Sequence, residues 1–159
     1  MKILMGIDDS KFSEQVVRAV VTQFRTEHTE VRVLHVLQPI APAPPQMASG
    51  YAPELEDQKK PARELVERIA KELRSAGFKV DAAVEVGDIR ESIIDSAAAW
   101  RADLIVVGSH GRGGIQRFLL GSVAEFVARH AKCSVEIVRT PVSSRRSIAD
   151  PILGDARPA

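Results

Sequence analysis

Five short apolar runs recur along this chain, each followed by a stretch of a different period, and that alternation constrains the fold more than any other feature. Ile3 to Ile7, Val31 to Leu37, Val80 to Val86, Leu104 to Val107 and Val135 to Arg139 are rich in β-branched residues and read as strands. Between them apolar residues return every three or four positions. Val16, Val17, Val20, Val21 and Phe24 form one such stripe, and Leu65, Val66, Ile69, Ala70 and Leu73 another. Ile89, Ile93, Ile94 and Ala97 form a third, and Ser122 to His130 reads as a last helix. Strands alternating with helices need crossover connections, which are right-handed and produce a parallel sheet covered on both faces. The uninterrupted Leu104-Ile105-Val106-Val107 suits a central strand. The expectation is a single α/β domain.

Local punctuation supports these boundaries. Ser10 or Ser13 can cap the first helix, Gly77 suits a helix end, and Asp88 with Glu91 resembles a capping box. Residues 39–61 break every period, with prolines at 39, 42, 44, 45, 53 and 61 and a glycine at 50. Two readings stay open for this Pro-rich loop: a disordered insertion, or a lid over a ligand. From Pro141 the composition turns to Ser, Arg, Pro, Asp and Gly. The expected organisation is one domain over 1–141 and a flexible tail over 142–159.

Charge and cysteine content narrow the function classes. Twenty-two basic and 21 acidic residues leave a net charge of +1, which gives no general pull toward nucleic acid or anionic membrane. Any anion must therefore be held by a local site. One cysteine, Cys133, rules out an internal disulfide. No apolar run approaches the roughly 20 residues that span a bilayer, and the first residues lack a signal-peptide pattern. A cytoplasmic location is the expectation. Four scattered histidines show no metal-ligand spacing.

The segment that carries chemistry is Val107-Gly108-Ser109-His110-Gly111-Arg112-Gly113-Gly114, followed by Gly121-Ser122-Val123-Ala124-Glu125. Glycines leave backbone amides open to a bound oxygen, and consecutive amides form an anion-binding concavity. Gly121-Ser122 opens a helix, whose first amides and positive dipole end also attract phosphate. In open α/β sheets, ligands sit beyond the carboxyl ends of strands where the order reverses; Asp8 and the glycine segment both leave such ends. The alternative is a plain surface turn, with Ser122 and Glu125 forming a Ser-x-x-Glu capping box that needs no ligand. The segment lacks the Gly-Lys-Ser/Thr ending of a P-loop, so it points to binding and not to rapid hydrolysis.

Gly108-x-x-Gly111, nine residues, then Gly121-Ser122 resembles the Gly-2x-Gly-9x-Gly-Ser/Thr signature of ATP-binding universal stress proteins. Asp8-Asp9-Ser10, Leu34-His35-Val36 and Ala131-Lys132-Cys133 are similar to that family's pattern at matching places. The resemblance runs from about Lys2 to Arg139 and implies a five-stranded parallel sheet of order 3-2-1-4-5. That architecture is a Rossmann-like three-layer sandwich of the adenine nucleotide α-hydrolase-like kind. It implies a homodimer joined through residues 135–139, acting as a nucleotide-dependent stress-response sensor or regulator. It further implies that Asp8 and the Val36 backbone hold adenosine, with Gly6, Ile7 and Val107 lining the pocket. Gly108, His110, Gly111, Arg112 and Gly113 would approach ribose and phosphates, and Gly121, Ser122 and Val123 would close around the phosphates. Ala124 replaces a hydroxyl residue of some ATP binders. Asp9 stands where many relatives have Gly, and its carboxylate would repel phosphate or recruit a divalent cation such as Mg2+. A nucleotide-independent dimeric interaction protein is the alternative. A related ATP pyrophosphatase is disfavoured because Gly6-Ile7-Asp8-Asp9-Ser10 lacks paired glycines.

Other residues are read more plainly. His110 has no carboxylate partner or nucleophile identifiable beside it in sequence, so a loop contact is expected and no catalytic residue is assigned. His35 reads as a structural strand residue, Cys133 as structural, and Trp100 as packing for the third helix. Arg112 and Arg117 either pair with phosphate or solvate the loop. Ser143 to Ser147 reads as solvated tail.

Overall fold

A computed structural model of the chain describes residues 1–10, 12–39, 48–110 and 120–139, with backbone alone for 48–55. In chain order the elements are β1 (Lys2–Ile7), α1 (Phe12–Gln23), β2 (Glu30–Leu37), α2 (Ala48–Ser75) and β3 (Lys79–Val86). Then come α3 (Ile89–Trp100), β4 (Leu104–Gly108), α4 (Ser122–His130) and β5 (Ser134–Val138). The strands form one sheet of order β3-β2-β1-β4-β5, and every neighbouring pair runs parallel. The five-stranded α/β architecture is as expected.

Because successive strand residues face opposite sides, each central strand supplies two cores. Ile3, Met5, Val31, Val33 and Val106 pack beneath α1 and α2 with Val16, Val20, Ile69 and Leu73. Leu4, Leu34, Ile105 and Val107 pack beneath α3 and α4 with Ile93, Ala97, Ala124 and Val127. The result is three layers. β1 and β4 are almost wholly buried, whereas edge strands β3 and β5 contain no fully buried residue. Gly6 owes its identity to this packing: a Cβ there would stand 3.1 Å from Val107 and 3.4 Å from Ile93.

Helix ends follow local chemistry. The Asp88 carboxylate accepts from the amides of Arg90 and Glu91 and starts α3. Gly77, at φ 101°, ends α2 while its amide and that of Phe78 reach back to Arg74 and Leu73 carbonyls. Arg101 takes the same left-handed role after α3 at φ 57°, where a glycine is usual.

One expectation is overturned. Residues 39–61 were read as irregular, yet α2 already runs from Ala48 and passes through Pro53 and Pro61. A proline costs a helix interior about 3 kcal/mol. That cost is offset here by a run of strong helix formers, Glu54 to Lys60, and by the buried stripe Ala62, Val66, Ile69, Ala70 and Leu73. An ion pair joins Lys59 to Glu56 one turn apart. Residues 40–47, the remainder of that loop, and the tail 142–159 lie outside the described residues.

Candidate functional site

β1 lies between β2 and β4, and the chain leaves β1 and β4 toward opposite faces of the sheet. That divergence opens a crevice at the carboxyl ends of these strands. It is a cleft of about 1450 Å3, above the roughly 300–1,000 Å3 usual for a small-molecule site. Its floor is the ends of β1, β2 and β4, and its walls are α2 and the first turn of α4.

The turn after β1 is built around one carboxylate oxygen. Asp8 Oδ1 accepts from the Ser10 amide at 3.1 Å and the Ser10 hydroxyl at 2.5 Å, and lies 3.0 Å from the Ser13 hydroxyl. Ser13, buried, also closes on the Asp8 main chain, and the Ser10 hydroxyl accepts from the amide of Phe12 at 3.3 Å. Asp8 Oδ2 is hydrogen-bonded to none of the described residues, and Asp8 lines the cleft. One oxygen holds the turn, which leaves the other for a ligand.

The opposite wall comes from β4 and α4. Ser109 is buried; its amide donates to Val138, its carbonyl accepts from Gly121 at 2.8 Å, and its hydroxyl lies 3.0 Å from His110 Nδ1. The His110 ring in turn meets Phe12, with centroids 6.2 Å apart. Gly121 is the N-cap of α4 and has no side chain to cap it. The amides of Ser122, Val123 and Ala124 therefore have no hydrogen-bond partner among the described residues. The contrast with α3, closed by Asp88, is direct: α4 presents three bare donors and its positive dipole end to the cleft. Such an end takes an anion.

Gly6, Ile7, Asp8, Val36, Val107, Gly108, His110, Gly121, Ser122 and Val123 all line this one cleft, while Gly111, Arg112, Gly113 and Arg117 lie outside the described residues. Three details of the sequence reading change. Ser122 is the first helical residue and not the cap, so the Ser122–Glu125 capping box does not form; Glu125 pairs with Arg129. His110 does have a hydroxyl beside it, that of Ser109. Gly108 and Gly121 are demanded by the protein itself, since a Cβ would stand 3.2 Å from the His110 carbonyl oxygen and 2.9 Å from the Ser109 carbonyl oxygen, respectively.

The wall that sequence reasoning missed is α2. Gln58, Pro61, Ala62, Leu65 and Arg68 recur three or four residues apart and overlook the cleft. Their signal was present as helical spacing and was masked by the two prolines.

The family model for the universal stress protein family matches residues 1–139. The chain belongs to the universal stress protein family. A universal stress protein of Synechocystis sp. is 30% identical over 149 residues, covering 87% of this chain and 97% of that one. A solved structure of the Methanocaldococcus jannaschii protein MJ0577 is similar at a TM-score of 0.77 and 31% identity, covering 87% of this chain and 95% of that one. A universal stress protein solved in complex with cAMP has 25% identity and a TM-score of 0.59, covering 87% of this chain and 96% of that one. Solved family structures from Arabidopsis thaliana and Archaeoglobus fulgidus, at 20% and 24% identity, share the fold at TM-scores of 0.65 and 0.60. They hold AMP and dAMP.

Among the described residues no group of three His, Cys, Asp or Glu is placed to hold a metal ion, and no helix is long and apolar enough to cross a membrane. Cys133 packs beside the α3–α4 core, and burial pushes its thiol above the ordinary value, the Asp103 carboxylate adding to the effect.

Proposed function

We propose that this chain binds ATP in the cleft and acts as a nucleotide-dependent sensor or regulator in the stress response. The observation that carries the reading is the bare first turn of α4 facing the carboxyl ends of β1 and β4. Phosphate there meets the amides of Ser122 and Val123 and the segment from Gly108 to Gly113. Adenosine lies toward β2, against Asp8 Oδ2 and the Val36 backbone, and Gly6, Ile7 and Val107 form the floor. The adenine nucleotides in the solved relatives support this direction. Asp9 also lines the cleft, and its carboxylate would hold Mg2+ brought in with the nucleotide.

The protein's own contribution is positioning. Nucleotide joins three separate walls: the β1 turn, the β4–α4 junction and the α2 stripe. Occupancy thereby changes the surface shown to a partner without a chemical step. Ser109, the hydroxyl within reach of His110, is only 3% exposed, which disfavours a phosphoryl acceptor there. We place the protein in the cytoplasm as a homodimer paired along residues 135–139, where β5 leaves an open sheet edge.

A second reading, a nucleotide-independent dimeric interaction protein, draws on Gly108 and Gly121, whose identities need no ligand. Calorimetric titration of nucleotide-stripped protein separates the two. Saturable heat with ATP and Mg2+ is the expected result. Absence of heat and of any thermal-midpoint shift with ATP, AMP and cAMP would leave the second reading standing.

A further inference from the structure

His35 sits where β2 passes the end of β1, opposite Ile7. It is 5% exposed, yet it is among the residues that line the cleft. Nδ1 lies 2.9 Å from the Ile7 carbonyl oxygen. A carbonyl only accepts, so Nδ1 carries the proton, and in the neutral ring Nε2 is then a bare acceptor. Nε2 has no hydrogen-bond partner among the described residues. It is not sealed in either, because the fully buried, unpartnered side-chain atom among those residues is Ser96 Oγ on α3. An acceptor opening onto the cleft calls for a donor from whatever fills it.

The sheet order says which part of a nucleotide that is. β2 and β4 flank β1, so His35 stands two strand spacings, about 10 Å, from the β4 end. Phosphate-holding amides gather at β4 and α4. On this side the cleft is lined by Val36 and Leu37 of β2 and by Pro61, Ala62 and Leu65 of α2, which offer apolar surface to a flat ring, with Gln38, Gln58, Glu64 and Arg68 among them. A 6-aminopurine offers a donor there, whereas a 6-oxopurine places its oxygen against the Nε2 lone pair.

We propose that His35 is a specificity-determining residue, whose Nε2 accepts from the exocyclic amine of an adenine base and discriminates against 6-oxopurines. The inference rests on the nucleotide reading above. Its Nδ1 bond to Ile7 fixes the ring and the start of the turn that carries Asp8.

The test titrates parent, His35→Asn and His35→Gln with ATP and with ITP, its 6-oxo counterpart. Asn keeps an amide nitrogen where Nδ1 stood, retaining the donor to Ile7, with nothing in place of Nε2. The parent is expected to prefer ATP by about tenfold or more, the worth of one hydrogen bond. In His35→Asn that preference falls toward unity, chiefly through weaker ATP binding. An unchanged preference in folded His35→Asn, or equal weakening of both nucleotides, overturns the proposal. Nitrogen-15 spectra of histidine-labelled parent check it without a variant: ATP shifts the His35 Nε2 resonance and ITP does not. No shift at saturating ATP also overturns it. A parent that binds both nucleotides equally sinks the His35 assignment alone, whereas one that binds neither sinks the nucleotide reading with it.

Discussion

The Gly121 amide donates to the Ser109 carbonyl at 2.8 Å, and a Cβ at residue 121 would stand 2.9 Å from that same oxygen. The junction between β4 and α4 is therefore closed by backbone on backbone. Gly121→Val breaks this junction whether or not phosphate binds nearby, so it cannot separate a ligand role from a folding role. A substitution one residue later can. Gly121 has φ −62° and ψ 147°, the extended geometry that a residue before proline prefers, and Ser122 is the first helical position, where proline is favoured.

Asp8 has a divided role, and two substitutions separate its parts. Asp8→Ala removes the two bonds from Ser10 and the Ser13 contact at Oδ1, and is expected to cost about 1–3 kcal/mol in denaturant unfolding, together with weaker ATP binding. Asp8→Asn retains the Oδ1 acceptor and should lose less stability, while its affinity for ATP still falls. Equal stability of parent and Asp8→Ala would contradict the assigned network.

Asp88 makes stability depend on pH in a defined direction. Hydrogen bonding from Arg90, with the Glu91 amide, holds its carboxyl below the ordinary 3.8. A lowered carboxyl favours the folded state above the unfolded value, and that contribution is lost as pH falls through the folded value. Thermal midpoints of parent and Asp88→Ala should therefore differ at pH 6 and converge as the pH falls below the ordinary 3.8 and through the lowered folded value. A constant gap would show that charge has no part in the cap.

Cys133 should be a sluggish thiol. Burial raises its ionisation above the ordinary 9.0, and the thiolate is the reactive form. Iodoacetamide at pH 8 is expected to label folded protein more slowly than the same chain in urea. Equal rates would place the sulfur in a more exposed, more acidic setting and revive a redox role.

Trp100 is the sole tryptophan and lies at the far end of the sheet from the cleft. Its ring is met by Lys2 Nζ at 5.2 Å and Arg32 Cζ at 4.8 Å, and Arg32 is held by Asp81 at 2.6 Å. Trp100→Ala should cost about 2–3 kcal/mol in stability and leave ATP affinity unchanged. An altered affinity would link the two ends of the sheet.

Much of the fold was legible because each strand and helix announced itself by period. The stripe Leu65, Val66, Ile69 and Leu73 marked α2, and the unbroken apolar Leu104–Val107 marked a central strand. Alternation implied a parallel sheet; its order came from the family resemblance. The start of α2 was hidden because Pro53 and Pro61 weigh against a helix locally, while the packing that outweighs them is tertiary. At the site, residue positions were readable but the reasons for them were not. Gly121 reads from sequence as the opening of a phosphate-binding helix and Gly6, through the resemblance, as pocket lining, and only the fold reveals Val107, Ile93 and the Ser109 carbonyl in the way of a side chain. The Ser109–His110 contact and the free face of His35 are likewise products of folding.

The same pattern bears on assembly. Ile137 packs into the α3–α4 core, so Ile137→Lys would injure the fold along with any β5 interface. Sedimentation of the unmodified protein at twice the chain mass is the cleaner expectation, and a monomer across micromolar concentrations would contradict pairing along β5.

The most direct measurement titrates ATP and Mg2+ into parent, Ser122→Ala and Ser122→Pro by calorimetry, with circular dichroism confirming that α4 persists. Proline at this position deletes one of the three bare amides and keeps the helix, while alanine deletes the hydroxyl alone. The account predicts parent binding and at least about a tenfold loss in Ser122→Pro beyond that in Ser122→Ala. Equal affinity in all three would contradict it, because phosphate would then not be held by the first turn of α4.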